Sequence, residues 1–288
     1  PPPTEGLAFF EDKISGSIDY YNEKRTGIYL ERMHLPWTVG LSAENYKKEK
    51  QNVYANVGEV KAHGFDGNIK LRHKINNVDF TIRANMTYGK NEIVERDEEN
   101  TVYWYKKQAG HRVGQAMGLV ALGLFKDYEE IRNWPTQFGE VMPGDIKYKD
   151  LNGDGVIDTN DRTMIGRGLP IHTGGFTNDF EYKGFDLSIF FQWSYGNDIL
   201  NANRLFFENV NNSRNLNQYA SYANRWTPEN PYSDIPVAKN SSSNKVVSSR
   251  VIEDGSFLRL KTLTLGYTLP KKVIKKWGIG NARVYVAG

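Results

Sequence analysis

Hydrophobic and polar residues alternate one by one along several stretches of this chain. In "GFDGNIKLRHKINNVDFTIRANMTYG", residues 64–89, Phe65, Gly67, Ile69 and Leu71 alternate with Asp66, Asn68, Lys70 and Arg72. After Asn76-Asn77 the pattern resumes: Val78, Phe80, Ile82, Ala84, Met86 and Tyr88 against Asp79, Thr81, Arg83, Asn85 and Thr87. Successive side chains on a strand point to opposite faces. The stretch therefore reads as a hairpin, apolar on one face and strongly polar on the other. "FTNDFEYKGFDLSIFFQWSYG", 176–196, repeats the pattern about a turn at Lys183-Gly184, with Phe190 breaking the polar face. "ISGSIDYY", 14–21, and "LKTLTLGYTLP", 260–270, alternate as well, and "NARVYVAG", 281–288, begins one more strand.

These runs are long, about 9 to 15 residues against a globular norm of roughly 5 to 6. Short turns are expected near residues 10–13, 74–78, 183–184 and 270–281, and long connections over 22–58, 90–172 and 198–256. Short turns on one edge and long loops on the other are the pattern of an outer-membrane barrel, with the long loops outside the cell. Tyr20, Tyr21, Tyr88, Trp193, Tyr195 and Tyr267 near strand ends suit its interfacial aromatic girdles. Any half-buried antiparallel sheet alternates too, so a soluble β domain stays open as the other reading of the pattern. The fold class expected is all-β: an antiparallel transmembrane β-barrel segment of about eight strands belonging to a larger barrel. Residues 1–288 form that segment, with long extracellular loops at 90–172 and 198–256.

One loop carries candidate chemistry. "DLNGDGVIDTND", 150–161, places oxygen donors at calcium-loop spacing: Asp150, Asn152, Asp154, the Val156 carbonyl, Asp158 and Asp161 at positions 1, 3, 5, 7, 9 and 12. Gly155 allows the bend, and Ile157 would pack inward and fix the loop. Asp161 stands where Glu is usual, which shortens the bidentate reach. The same residue types also favour metal-free turns. A structural Ca²⁺ is expected, pinning the 90–172 loop. A paired, opening sensor is not, because there is one loop and Pro143-Gly144 lies just upstream.

Composition narrows the rest. Cysteine is absent, which excludes thiol nucleophiles, thiolate metal sites and disulfides. A net charge of +3, dispersed along the chain, gives no footprint for nucleic acid. The longest nearly apolar run, "MGLVALGLF" at 117–125, is too short for a spanning helix. His34, His63, His73, His111 and His172 show no metal-ligand spacing, and no nucleophile elbow or glycine-rich phosphate loop is complete. No catalytic residues are expected, and the protein is expected not to be an enzyme. "YKKEKQ", 46–51, and "KKVIKK", 271–276, read as solvated faces. Trp37, Tyr103, Trp104, Tyr105, Trp134, Tyr222 and Trp226 lie in the loops, where they either fill small cores or meet a ligand or partner. Lys70, Arg72 and Arg83 are candidates for the barrel interior.

Several stretches together resemble the SusC/RagA family of TonB-dependent outer-membrane transporters of Bacteroidetes. They are "SGSIDYYNEKRT" (15–26), "VGEVKAHGFDGNIKL" (57–71), "PGDIKYKDLNGDGVIDTNDRTMIG" (143–166), "YKGFDLSIFFQWSYGNDI" (182–199), "RWTPENP" (225–231) and "SFLRLKTLTLGYTLPKKVIKKWGI" (256–279). The resemblance spans almost the whole chain, in order, and maps to the later part of the family's barrel. It implies a barrel of about 22 strands around an N-terminal plug. It further implies import of glycans or oligopeptides, energised by TonB, with a SusD-like surface lipoprotein over the long loops. The plug, the TonB box and a signal sequence are expected outside this chain. A soluble, secreted calcium-binding β module that binds carbohydrate or mediates adhesion is the competing reading. A glycosidase would need two carboxylates positioned in a cleft.

Overall fold

The computed structural model describes residues 7–9, 13–32, 53–98, 101–209, 217–239 and 243–288. Trp37, His34, "YKKEKQ" and most of the expected 10–13 turn lie outside the described residues. Eight strands form the wall: β1 (Leu7–Phe9), β2 (Ile14–Glu31), β3 (Tyr54–Ile75), β4 (Val78–Glu95), β5 (His172–Tyr182), β6 (Phe185–Tyr195), β7 (Phe257–Thr268) and β8 (Arg283–Ala287). They pair in sequence order, every neighbour antiparallel, as one eight-stranded sheet. Among the described residues β1 pairs only with β2 and β8 only with β7, so the sheet is open.

The register puts every expected apolar row on one face. Tyr20 is opposite Phe65, Phe65 opposite Tyr88, Tyr88 opposite His172, and His172 opposite Tyr195. That row is an aromatic girdle on the long-loop side. Ten residues down each strand, Val78, Tyr182, Phe185 and Tyr267 pair into a second row on the short-turn side. Ten residues span about 33 Å of strand, or roughly 25 Å in height at the tilt of a membrane barrel. Between the girdles stand Ile69, Met86, Phe176, Ile189, Leu263 and Leu265, with Val286 beside Leu265. Large apolar side chains stay uncovered here; Ile18 is 72% exposed, Leu265 53% and Val286 75%. No second protein layer covers them among the described residues, as a soluble sandwich would require. Bare apolar rows of this kind fit a lipid-facing wall better than a soluble sandwich.

Three strand boundaries differ from expectation. β2 continues to Glu31 and β3 begins at Tyr54, where the alternation had suggested a loop over 22–58. β4 likewise runs to Glu95. These ends rise beyond the outer girdle, where polar and charged residues fall on both faces and only a few positions, such as Ile93, are buried. Backbone pairing continues there without any need for an apolar face, so the two-residue period fades. Lys24 opposes Lys61 in this region, and Lys24 pairs with Glu59 at 3.0 Å. The 270–281 turn also holds more structure than a reversal: a helical turn, Lys271–Ile274, then a 3₁₀ turn, Lys275–Trp277.

The turns on the short side follow residue chemistry. Asn76 and Lys183 take positive φ, 55° and 48°, and Gly184 follows at 90°. Left-handed backbone suits tight two-residue hairpins. The long side is a folded cap. The β4–β5 and β6–β7 connections pack on each other through a core of Leu119, Ile146, Tyr148 and Ile157, with Val246 against it. Short strands stitch the cap: Gln115–Gly118 pairs with Thr163–Arg167, Ala121–Leu124 with Ile146–Tyr148, and Asp198–Leu200 with Ile252–Asp254.

Candidate functional site: an acidic loop on the cap and a charged inner wall

The acidic loop sits on the cap, between two short parallel strands and a 3₁₀ turn. Val156–Ile157 pairs in parallel with Thr136–Gln137, and Thr136 N donates to Gly155 O at 2.8 Å. Ile157 is 1% exposed and belongs to the cap core, as its place in the pattern requires. The loop curls because its acids accept from its own backbone. Asp150 receives Gly153 N at 2.6 Å and Gly155 N at 2.9 Å; Asp154 receives Val156 N at 2.8 Å. Asp158 caps the 3₁₀ turn Thr159–Asp161 in a capping box with Asp161. Asp161 is fully buried and receives Leu151 N and Asp158 N, both at 2.8 Å, so it ties the two ends of the loop together. Asn152 accepts from Asp154 N at 3.0 Å and donates to Asp154 Oδ2 at 2.8 Å.

Sequence reading had no signal for what stands over this loop. The turn Trp104–Lys106 packs there: Lys106 Nζ donates to Asn160 Oδ1 at 3.0 Å, and Asn152 Nδ2 to Tyr103 Oη at 3.3 Å. Burial, then the carboxylate of Asp161, and further down Asp150 and Asp154, push the Tyr105 hydroxyl up from its ordinary value. That hydroxyl has no hydrogen-bond partner among the described residues. The acids of the loop thus add to burial in raising this hydroxyl. Among the described residues no three acidic or histidine side chains stand close enough to hold an ion unaided. A cation would take further oxygens from Asn152, the Val156 carbonyl and water. The donor set is all oxygen, which suits a hard divalent cation.

The other loop aromatics mostly build the cap. Tyr222 and Trp226 are buried; Trp134 donates to Tyr148 O at 3.0 Å and lies edge-on to Phe125 at 6.3 Å. Trp104 is 74% exposed. His63 and His73 lie on β3. His172 belongs to the outer girdle, stacked on Tyr195 at 4.9 Å and accepting from Trp193 Nε1 at 3.2 Å.

The polar face of the wall is a second candidate surface. Lys70 opposes Arg83, and Arg72 opposes Thr81, all on the face away from the apolar rows. Arg83 pairs with Asp179, which also accepts from Ser188 Oγ at 2.6 Å. Arg283 grips both oxygens of Asp186, its Nε at 2.9 Å from Oδ1. Lys261 donates to Gln192 at 3.0 Å and Thr87 to Asp66 at 2.8 Å. Lys70, Arg72, Arg83, Asp179, Asp186 and Arg283 line a concavity near the short-turn edge, with Asp79 and Glu181. The Asp179 and Asp186 partners lie 96 and 97 residues away, so only shared face, not spacing, could have flagged them.

No family model matches the chain. Among curated proteins it is similar to TonB-dependent receptor P3 of Formosa agariphila, 33% identical across 98% of this chain and 28% of that protein. TonB-dependent receptor P26 of the same organism is 29% identical across 98% of the chain, and TonB-dependent receptor SusC of Bacteroides thetaiotaomicron 24% across 97%. The chain spans under a third of these relatives, between 27% and 28% of their length. Among solved structures its fold matches the RagAB peptide transporter with a TM-score of 0.70, over 98% of this chain and 30% of that one, at 24% identity. The RagAB peptide importer in its open-open state gives 0.71. In sequence and in fold, the chain is similar to a stretch of β-barrel wall with its outer loops in TonB-dependent receptors of the SusC/RagA type.

Proposed function

We propose that the protein containing this chain imports oligosaccharides or oligopeptides across the outer membrane, energised through TonB and assisted by a SusD-like surface lipoprotein. The supporting observation is the wall itself: a bare apolar belt between two girdles, with paired charges on the opposite face. Such a wall separates lipid from a wet interior. The likeness to SusC and to a peptide transporter supports import and leaves both ligand classes in play. Strands supply the wall, and the cap supplies the vestibule and the lipoprotein's footing. The work is binding and gating, without covalent chemistry. The test feeds cells labelled oligosaccharides or labelled oligopeptides. Uptake of one class, lost on deleting the gene and on deleting TonB, is the expected result. Uptake indifferent to both deletions overturns the reading.

Within the cap, Asp150, Asn152, Asp154, the Val156 carbonyl, Asp158 and Asp161 hold a structural Ca²⁺. The curled acids and the unpartnered Tyr105 hydroxyl beside them support this. The ion would neutralise the carboxylates' mutual repulsion and stiffen the cap. In the full-length protein, a chelator is expected to speed proteolytic cutting between residues 90 and 172 several-fold. Asp150→Ala with Asp154→Ala should show that speed with or without calcium. Identical digestion of the unaltered protein in both conditions would argue for a self-capped, metal-free turn.

A further inference from the structure

The excursion between β7 and β8 is the other feature that the transport reading leaves unused. From Leu269 to Ala282 the chain reads "LPKKVIKKWGIGNA": four lysines, one tryptophan and no acid. Lys271, Lys272, Lys275 and Lys276 are all exposed, and none makes an ion pair among the described residues. Ile274 alone is buried, at 1% exposure. Trp277 is 67% exposed, and Val273 and Ile279 stand open beside it. A solvated helical turn has no reason to present an indole and two branched aliphatics to water. Indole and lysine together are the composition of a membrane interface.

Position in the fold agrees. Tyr267 is part of the inner girdle, its ring tilted against Phe185 at 4.4 Å. Leu269 N donates to Ala282 O at 2.9 Å, so the sheet pairing holds until two residues past the girdle. The excursion therefore leaves the wall about one strand step, roughly 7 Å, beyond the edge of the apolar belt. That is headgroup depth. Thr268 N donates to Gly184 O at 2.7 Å, which sets the Lys183-Gly184 turn, with its own lysine over Tyr182, against the start of the excursion.

We propose that Lys271, Lys272, Lys275, Lys276 and Trp277 form a docking surface for anionic phospholipid in the periplasmic leaflet. The lysines meet lipid phosphates and Trp277 enters the glyceryl region. The belt is the adjoining lipid interface, and the charge is complementary to a phosphodiester. Lysines near an anionic surface attract it individually and add together. The surface would fix the height of this wall in the membrane and keep the β7–β8 edge from sliding when the barrel is pulled from below.

The test uses the full-length protein in detergent, given phosphatidylglycerol, phosphatidylcholine or inorganic phosphate, with retained lipid read by native mass spectrometry. Replacing the four lysines by glutamine is expected to weaken phosphatidylglycerol retention about tenfold while leaving phosphatidylcholine unchanged. In vesicles, lipid brominated near the headgroup should quench the fluorescence lost on Trp277→Phe. Equal phosphatidylglycerol retention in both proteins overturns the proposal. So does equal competition by inorganic phosphate, or an unquenched Trp277. Efficient cross-linking of the Lys275→Cys variant to the barrel's interior domain would show that the turn faces inward, and would overturn it as well.

Discussion

Two adjacent glycines show how single residues decide this wall. Gly174 and Gly175 stand on β5 with no side chain, and a ring lies over each from the neighbouring strand. Trp193 covers Gly174 on the lipid face, and Phe190 covers Gly175 on the inner face. A Cβ on Gly175 would meet Phe190 Cε2 at 2.7 Å. Phe190 thereby ceases to be an anomaly in the polar face: it fills the space its neighbour leaves empty, next to a bulge in the β6–β7 pairing. Rings laid over strand glycines restore packing that glycine gives up. Gly175→Val is expected to overpack the site by about 1–3 kcal/mol. The folded fraction recovered in vesicles, read from the gel shift between heated and unheated samples, should fall. Full recovery would mean that Phe190 swings away freely. The aromatic in the polar run was visible in the sequence. Its glycine partner, 15 residues away in the chain, was visible only as an unremarkable Gly-Gly.

At the scale of elements, the two long loops behave as one folded body because buried polar groups lock them together. Asn244, from the second loop, donates to Asp145 Oδ1 at 2.7 Å and accepts from Ile146 N at 2.9 Å; Tyr148 Oη donates to Ser243 O at 2.6 Å. Asp145 is fully buried. Burial holds its carboxyl above the ordinary carboxylate range, although bonds from Met142 N and Asn244 and the charge of Lys239 act the other way. The native cap then binds the proton more tightly than the unfolded loop does. Its stability from this group is greatest below the ordinary value of 3.8 and declines as pH rises through the raised one. Hydrogen-exchange protection at Phe125 and Ile146, corrected for intrinsic rates, should decrease across that window. Asn244→Ala leaves a buried acid short of a donor and should cost about 1–3 kcal/mol of cap stability. Protection that is flat with pH and unaltered in the variant would show that the apolar core alone joins the loops. The calcium-type spacing and the inward Ile157 were legible here. The mate of Asp145, 99 residues on, was not, because sequence offers no periodicity across two loops.

For the whole molecule, the governing fact is that one face of the sheet meets lipid. Leu263 stands midway between the girdles, opposite Ile189; Thr262 is its neighbour on the inner face, opposite Phe190. Leu263→Arg should cost about 2–4 kcal/mol of folding free energy in a bilayer. Thr262→Arg should cost far less, since the inner face already holds Arg83, Lys261 and Arg283. Denaturant titration of the full-length barrel in vesicles measures both. Equal penalties would mean that the two faces see the same medium, which would remove the basis for the import reading too.

The chain's own residues determined the strands, their faces, the tight turns and the acidic loop, because each depends on neighbours within a few positions. A two-residue period needs no distant partner to be read, nor does a twelve-residue ligand spacing. Strand ends past the membrane escaped that reading, since polar residues on both faces erase the period. Only the tertiary structure decided which acid meets which base on the inner wall, which ring covers which glycine, and that two loops make one cap. Those pairings join residues from 15 to 99 positions apart, and it is the folded sheet and cap that bring them within reach of one another.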